Sequence, residues 1–376
     1  MQFRDLKRQY LDFKEQMDEA IQAVILDGKF ISGPQVRQLE KQLADYVGVK
    51  HCLACANGTD ALSLVLRAWE IGENDAVFVP DFTFFASAEP SCDRGATPIF
   101  VDVSPDTFNM DPDSLERAIS AVKARGELRP KAIIPVDLFG LPADYQAIEA
   151  IAAKYGLLLL EDGAQGFGGS LNGRRVCSFG QAATTSFFPA KPLGCYGDGG
   201  AIFTNDDALD AHLRSLAVHG KGADKYDNVR IGVNSRLDTL QAAILLVKFQ
   251  AFVAHELSEV NKAAANYTRM LAGLVKTPVV PEGYTSSWAQ YTIQLEDGQQ
   301  RDLVLAAMKE ADIPAMVYYP KTMSAQGAFA GLLEKQPIDC AVARRLCKCV
   351  VSLPLHPYIT KPEQERVVRV LEGCLR

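Results

Sequence analysis

From residue 50 onward, short apolar runs alternate with amphipathic helical patterns, and this alternation limits the possible folds more than any other feature. The runs are residues 77–79, 98–101, 132–136, 157–160 and 200–203. Between them lie helical patterns such as residues 145–154, with Asp144 as a candidate N-cap, and residues 208–219. Buried strands that alternate with helices are typical of a parallel sheet covered on both faces. We therefore predict an α/β domain with a mostly parallel sheet, in which these five runs are parallel strands.

The pattern changes after a long helical stretch at residues 237–260. The later segments are a strand pattern at 288–293 and helical patterns at 301–311 and 362–371, while the first 45 residues resemble a helical arm. A chain of 376 residues is too long for one ordinary core. We predict two domains: residues 1–250, comprising the arm and a large domain, and residues 251–376, a smaller α+β domain.

Charge and composition exclude several classes of protein. The net charge of −7 disfavours a nucleic-acid-binding protein, which needs a basic surface. The N-terminus has no apolar segment of a secretory signal, and no run of about 20 apolar residues suggests a membrane span. Nine scattered cysteines indicate reduced thiols rather than a disulfide framework, so we expect a cytoplasmic protein. We interpret the close pairs Cys52/Cys55 and Cys347/Cys349 as buried thiols and predict no metal site.

Two polar clusters directly follow predicted strands, where ligands bind in open α/β sheets. Residues 56–62 open a helix, and their backbone N–H groups with the Thr59 hydroxyl would bind a phosphate; an ordinary turn and N-cap remains the alternative. Residues 161–165 place Glu161 and Asp162 after a buried run. A buried carboxylate is costly unless it is paired, so we expect a cation to face Asp162, with a helix N-cap as the alternative.

Two further clusters contain basic side chains. Lys191 lies between an apolar strand and a glycine-rich turn at residues 197–200. A desolvated lysine near other cations loses its proton more easily, and its neutral amine can form a Schiff base; a surface lysine is the alternative. Residues 232–236 add an amide and a guanidinium suited to phosphate or carboxylate. Together, the four clusters contain what a pyridoxal 5'-phosphate (PLP) enzyme needs: a lysine, a carboxylate for the ring nitrogen and donors for the phosphate.

The chain resembles the nucleotide-sugar aminotransferases of PLP fold type I, the DegT or StrS family. The resemblance extends from Phe30-Ile31-Ser32-Gly33-Pro34 to Ser352-Leu353-Pro354-Leu355-His356-Pro357, and its most specific stretch is residues 186–200, SFFPAKPLGCYGDGG. It implies an aspartate aminotransferase-like large domain with a smaller C-terminal domain. It also implies that PLP is bound covalently to Lys191, which is the base and the acid of the reaction.

The resemblance also implies the other residues that hold the cofactor. Asp162 would pair with the ring nitrogen, Gln165 would contact the phenolic oxygen and Phe84 would stack on the ring. Gly58, Thr59 and Ser186 would bind the phosphate. Asn234 would reach the phosphate from the neighbouring subunit, which implies a homodimer with shared active sites.

The expected substrates are L-glutamate and a UDP-linked keto sugar. Residues 191–205 and 232–243 most resemble the branch that aminates C3 of UDP-2-acetamido-2-deoxy-3-keto-hexuronic acid for bacterial surface polysaccharides such as the O-antigen of lipopolysaccharide. Arg236 is the candidate for binding the substrate carboxylate, with an interface salt bridge as the alternative. Tyr318 and Tyr319 are candidate substrate residues, although the family commonly has His-Tyr-Pro where this chain has Tyr318-Tyr319-Pro320.

Three other functions are compatible with the same fold. The first is an aminotransferase for a 4-keto or 3-keto 6-deoxy nucleotide sugar. The second is a sugar 3-dehydratase, against which Lys191 argues because that branch has histidine at this position. The third is a non-catalytic regulatory protein, against which the combination of Asp162, Gln165, Ser186 and Lys191 argues.

Overall fold

The structure is a computed structural model that describes residues 1–224 and 226–375. Its strands are β1 (His51–Cys55), β2 (Asp75–Pro80), β3 (Thr97–Val101), β4 (Arg129–Ile133), β5 (Leu158–Asp162), β6 (Ser170–Leu171), β7 (Arg174–Arg175), β8 (Ala182–Ser186), β9 (Gly200–Thr204), β10 (Tyr284–Thr285), β11 (Tyr291–Gln294) and β12 (Val350–Leu353). Residue 376, the end of the second predicted domain, lies outside the described residues.

The predicted helical segments are helical in the structure with shifted ends, and further helices lie between them. They are α1 (Leu6–Asp12), α2 (Lys14–Asp27), α3 (Pro34–Val47), α4 (Gly58–Ala68), α5 (Glu89–Asp93), α6 (Pro112–Arg125), α7 (Tyr145–Tyr155), α8 (Asp207–Leu216), α9 (Thr239–Ala251), α10 (Leu257–Met270), α11 (Gly298–Glu310), α12 (Ala341–Cys349) and α13 (Lys361–Leu375). Short 3₁₀ segments lie at Phe85–Ser87, Leu138–Gly140 and Gly327–Lys335. The Asp144 side chain caps α7 by accepting from the backbone N–H of Ala147, as predicted.

The main sheet has the strand order β1-β9-β8-β5-β4-β2-β3 among the described residues. Strands β8, β5, β4, β2 and β3 are parallel, whereas β9 is antiparallel to both β8 and β1. The prediction of a mostly parallel sheet is confirmed, but the prediction that residues 200–203 form a parallel strand is wrong. A parallel connection requires a long crossover, usually a helix, and residues 187–199 between β8 and β9 form none.

Side chains on alternate sides of the sheet form two cores. In β2, Val77 and Val79 pack into a cluster with Leu62 of α4. Phe78, between them, packs into the opposite cluster with Ile119 of α6. This period of two is the geometry of a strand buried on both faces. The sheet is therefore a rigid platform, and its carboxyl edge carries the loops of interest.

The C-terminal segments form a separate core. Strands β11 and β12 pair antiparallel, and α10, α11 and α13 pack on them. Residues between α11 and α12 behave differently, since Met323 and Phe329 pack into the core of the main sheet. The domain division after residue 250 stays a prediction, because the helix there continues through a π-helical turn at Phe252–Glu256 into α10.

This continuous helix, Thr239–Met270, is long enough and apolar enough to cross a membrane, with a mean hydropathy of 1.3 over its most apolar window. Half of that window is buried inside the protein. Helix α9 packs against α2 and α3, and Leu245 is fully buried. These contacts are those of a core helix in a soluble fold. A core helix has the same apolar character as a helix that spans a membrane.

Candidate active site

A cleft of about 950 Å³ opens at the carboxyl edge of the main sheet, beside residues 317–320. It brings together nine of the residues predicted from the sequence: Gly58, Thr59, Phe84, Asp162, Gln165, Ser186, Lys191, Tyr318 and Tyr319. Strands β5 and β8 end at this edge with Asp162 and Ser186. Because β9 runs in the opposite direction, the loop that carries Lys191 turns back at the same edge.

The first turn of α4 and the end of β8 form one end of the cleft. Asn57 caps the helix by accepting from the backbone N–H of Asp60 at 2.7 Å. The N–H groups of Gly58 and Thr59 have no hydrogen-bond acceptor among the described residues, so they are available to an anion. A Cβ atom on Gly58 would lie 2.8 Å from Cβ of Ser186, which shows how closely the helix approaches β8. This end of the cleft suits a phosphate, and we call its residues Gly58, Thr59 and Ser186 the phosphate cradle.

Asp162 lies on the floor of the cleft and is 4% exposed. Its Oδ2 accepts from the Ser87 hydroxyl at 2.7 Å, and its Oδ1 accepts from the backbone N–H of Ala164 at 3.2 Å. Burial raises the pKa of Asp162 above its ordinary value, while these two donors and the charge of Lys191 act in the opposite direction. The expected cation is thus Lys191, and a carboxylate held in this way suits a protonated ring nitrogen.

Glu161 precedes Asp162 in the chain, and its side chain points away from the cleft into the protein. Its carboxylate accepts from the backbone N–H groups of Cys177 and of Phe179, the latter at 2.7 Å. Burial and the neighbouring Asp137 raise the pKa of Glu161 well above its usual range. The two acids after the predicted strand therefore have different surroundings, and only Asp162 lines the cleft.

Lys191 is half-buried, and Arg4 of the N-terminal segment lies behind it. The Arg4 guanidinium donates to the backbone carbonyl of Lys191 at 3.4 Å and to that of Ala289 at 3.2 Å. Burial, with the positive charge of Arg4, lowers the pKa of Lys191 to about 8, and Asp162 acts in the opposite direction. An amine with this pKa is partly uncharged near neutral pH, as a nucleophile and proton acceptor must be.

Gln165 and Phe84 also line the cleft, and both contact Tyr319. The Gln165 amide donates to the Tyr319 hydroxyl at 2.9 Å, and its carbonyl accepts from the backbone N–H of Phe139 at 2.9 Å. The ring of Phe84 is 54% exposed and lies 6.4 Å, centroid to centroid, from that of Tyr319. Its exposed face is available to a flat ligand.

Asn234 and Arg236 do not line this cleft within one chain, in contrast to the other predicted residues. Of the cleft-lining residues that the structure describes, Lys191 is the single cation, whereas Asp60, Asp162 and Asp198 are acids. A doubly charged nucleotide diphosphate would therefore meet an unfavourable field in an isolated chain.

Sequence reasoning missed two residues that shape the site. Ser87, the partner of Asp162, lies only three residues after Phe84, but a serine in this position has no distinguishing local pattern. Arg4 belongs to a charged N-terminal stretch that resembles an ordinary exposed segment. No group of three or more His, Cys, Asp or Glu side chains in residues 1–224 and 226–375 is arranged to hold a metal. Both predicted thiol pairs are buried and free.

With this geometry established, comparison with known proteins identifies the family. The sequence pattern of the DegT/DnrJ/EryC1/StrS aminotransferase family matches residues 12–372. The chain belongs to this family. It is 47% identical over 360 residues to UDP-2-acetamido-2-deoxy-3-oxo-D-glucuronate aminotransferase of Pseudomonas aeruginosa, with 96% of each chain covered. It is also 42% identical over 376 residues to the pleiotropic regulatory protein of Geobacillus stearothermophilus, covering 99% of this chain and 98% of that one.

The fold agrees with this assignment. The crystal structure of a DegT/DnrJ/EryC1/StrS aminotransferase from Brucella abortus superposes with a TM-score of 0.96 at 46% identity, covering 100% of this chain and 99% of the other. The predicted PLP fold type I is confirmed, as is the resemblance to DegT or StrS aminotransferases. The family is PLP-dependent, and the phosphate cradle, the carboxylate and the amine of this cleft fit that cofactor.

Proposed function

We propose that this aminotransferase transfers an amino group from L-glutamate to C3 of a UDP-linked 2-acetamido-2-deoxy-3-keto-hexuronic acid. The observation that carries the proposal is the meeting in one cleft of Lys191, Asp162 and the phosphate cradle, whose α4 residues lie more than a hundred positions before the other two. The 47% identity to the Pseudomonas aeruginosa enzyme supports the choice of sugar. The product is an intermediate for a surface polysaccharide such as an O-antigen, and we place the reaction in the cytoplasm.

PLP, when bound, withdraws electrons from the carbon that carries the amino group. In our proposal Lys191 holds the cofactor covalently, Asp162 keeps its ring nitrogen protonated, and Gly58, Thr59 and Ser186 bind its phosphate. The freed amine of Lys191 removes a proton from the α carbon of glutamate. In the second half-reaction the same amine delivers a proton to C3 of the sugar, so one side chain is base and acid in turn.

The charges of the cleft support a homodimer with shared sites. One chain offers the anionic sugar a single cation, Lys191, among the described lining residues. Asn234 and Arg236 lie outside it, in a segment where Val229 is 53% and Ile231 86% exposed. Large apolar side chains with that exposure are typical of surfaces that another chain covers. We infer that the segment of a second copy brings Asn234 to the cofactor phosphate and Arg236 to the substrate carboxylate.

A substrate panel tests the sugar assignment. The PLP-loaded protein is first converted with L-glutamate, which is followed by the absorbance of the cofactor. It is then mixed with the UDP-linked 3-keto-hexuronate, a UDP-linked 4-keto sugar or a 3-keto 6-deoxy nucleotide sugar, and products are identified by mass spectrometry. We expect rapid amination of the first compound alone. Faster amination of either other sugar would replace our substrate with that one, and no conversion with glutamate would support the regulatory alternative.

Mixing two inactive variants tests the shared site. Lys191→Ala and Arg236→Ala subunits are combined under conditions that allow exchange. Half of the dimers in an equal mixture are then heterodimers, and each has one intact site, so about a quarter of the wild-type activity should return. If each site were built from one chain, the mixture would have no more activity than its two components.

A further inference from the structure

Residues 317–326 lie between α11 and α12 and contribute one wall of the cleft. Tyr318, Tyr319, Pro320 and Gln326 from this segment line the cleft. Apart from the backbone bridge between Met316 and Ser352 at its start, the segment belongs to no strand of the described residues. Its conformation therefore depends on hydrogen bonds and packing contacts other than those of a sheet.

Asp81 makes the most extensive of these contacts. Its Oδ1 accepts from the backbone N–H of Ser324 at 2.7 Å, and its Oδ2 accepts from the Ser324 hydroxyl at 2.9 Å. Its backbone carbonyl accepts from the N–H of Met323 at 2.8 Å. Asp81 is fully buried and does not itself line the cleft. Asp81 thus accepts three hydrogen bonds from this segment.

The position of Asp81 links both walls of the cleft. It directly follows the end of β2 and precedes Phe82, whose ring lies 6.0 Å from that of Tyr319. Phe84 and Ser87 follow in the same stretch and reach the cofactor end of the cleft. A shift of residues 317–326 away from Asp81 would therefore move Tyr318 and Tyr319 relative to a sheet edge that stays fixed.

The carboxylate is ionised at neutral pH. Burial raises the pKa of Asp81 to about 6, opposed by the two Ser324 donors, and Asp102 adds to the rise while the Cys340 thiol opposes it. Hydrogen bonds to an ionised acceptor are roughly twice as strong as those between neutral groups. Two such bonds to one serine are enough to favour one conformation of an irregular segment.

We propose that Asp81 is a positioning residue that holds residues 317–326 in the conformation that receives the keto sugar. This inference rests on the proposed function, because it assigns the segment to the second half-reaction. We expect Asp81 to have little effect on the first half-reaction, in which the amino donor reacts at Lys191 near the edge of the sheet.

The neighbouring strand supplies a matched control. Asp102 follows β3 as Asp81 follows β2, and it is also buried. Its carboxylate accepts from the backbone N–H of Ala343 at 2.8 Å and of Val342 at 3.0 Å, at the start of α12. Asp102→Asn therefore removes a comparable buried carboxylate without touching residues 317–326.

The experiment compares Asp81→Asn with Asp102→Asn and measures the two half-reactions separately in the PLP-loaded protein. For Asp81→Asn we expect a glutamate half-reaction within about 2-fold of wild type and a KM for the keto sugar raised roughly 10-fold, with a smaller fall in kcat. Asp102→Asn should leave the sugar KM unchanged. Ser324→Ala, which removes only the hydroxyl donor, should raise the sugar KM by about 3-fold. Equal effects of both aspartate variants, or an unchanged sugar KM in Asp81→Asn, would overturn the proposal.

Hydrogen exchange provides a second measurement that requires no substrate. In Asp81→Asn, the amides of residues 323–326 should exchange faster than in wild type, while those of α12 stay protected; Asp102→Asn should give the reverse. Unchanged exchange at residues 323–326 would contradict the proposal. If the wild type aminates a different keto nucleotide sugar, the substrate assignment fails, and the KM comparison is made with that sugar.

Discussion

The two ends of the cleft are built in different ways. The cofactor end is the edge of a packed sheet, where Asp162 and Ser186 occupy the last positions of paired strands. In our proposal the sugar end consists of residues 317–326, which donate three hydrogen bonds to Asp81 from Met323 and Ser324, and of Arg236 from a second copy, since Arg236 does not line the cleft of its own chain. On this proposal, the comparison teaches that the chemistry shared by both half-reactions lies on the rigid platform. The parts that we propose select the sugar lie on segments without regular secondary structure, which tolerate sequence change better than a packed sheet does.

The largest effect should come from the cofactor end. Lys191→Ala removes the amine that we propose binds the cofactor and transfers protons, so both half-reactions should slow by roughly 10⁴-fold. The rate of each half-reaction is measured by cofactor absorbance in stopped flow. The comparison between the two ends fails if the variant loses only the sugar half-reaction.

Arg236→Ala should affect the sugar end alone. Loss of a charge-assisted pair with the substrate carboxylate costs about 3 kcal/mol, which corresponds to a roughly 100-fold fall in kcat/KM for the sugar. The glutamate half-reaction, measured on the same protein, should stay near the wild-type rate. Arg236→Lys should recover part of the loss, since it keeps the charge without the bidentate geometry. An unchanged kcat/KM in Arg236→Ala would mean that Arg236 has only the alternative role, a salt bridge at the interface.

A smaller effect on both half-reactions is expected for Ser87→Ala. The substitution removes the hydroxyl that donates to Asp162 and so raises the pKa of that carboxyl further. We expect both half-reactions to slow by roughly 10-fold, with the loss greatest at low pH, where Asp162 is protonated first. Thr83→Ser is a matched control, because it changes the neighbour of Ser87 and leaves the hydroxyl in place. A loss confined to the sugar half-reaction would contradict the division between the two ends.

The smallest effect is on the stability of the fold and not on the chemistry. It concerns Asp137 and Glu161, a buried pair of acids beneath the cofactor end. Burial raises the pKa of Asp137 to about 7, and Glu161 beside it is raised as well. A carboxyl whose folded pKa exceeds its unfolded value stabilises the fold below the unfolded pKa, and this contribution is lost as pH rises through the folded value. Urea midpoints should therefore fall as the pH rises from about 4 to about 7, and less so in Asp137→Asn. An equal fall in both proteins would contradict this assignment.

Much of the cofactor end could be predicted from the sequence, because strand ends are local features. Asp162 follows a run of apolar residues, and the parallel geometry places it at the same edge as Ser186. The reversal of β9 could not be predicted from its apolar pattern, since a buried strand has the same pattern in either direction. The direction of β9 follows from the connection between β8 and β9, which contains no helix.

The sugar end was harder to predict, because its contacts join distant residues. Asp81 and Ser324 are 243 positions apart, and neither has a local pattern that indicates the other. Two contacts of the cofactor end were missed for the same reason, since Ser87 and Asp162 are 75 positions apart and Arg4 and Lys191 are 187 positions apart. Tyr318 and Tyr319 were assigned by resemblance alone, and the structure places them in the cleft without showing what they bind.

Chemical mapping of the cofactor lysine tests the central claim most directly. Lys248 is a natural control, because it is 2% exposed and burial lowers its pKa to about 8, as for Lys191, yet it does not line the cleft. The PLP-loaded protein is reduced with borohydride, digested and analysed by mass spectrometry. We predict that the cofactor is attached to Lys191 and not to Lys248. Attachment to Lys248 or to any other lysine, with Lys191 unmodified, would contradict the account.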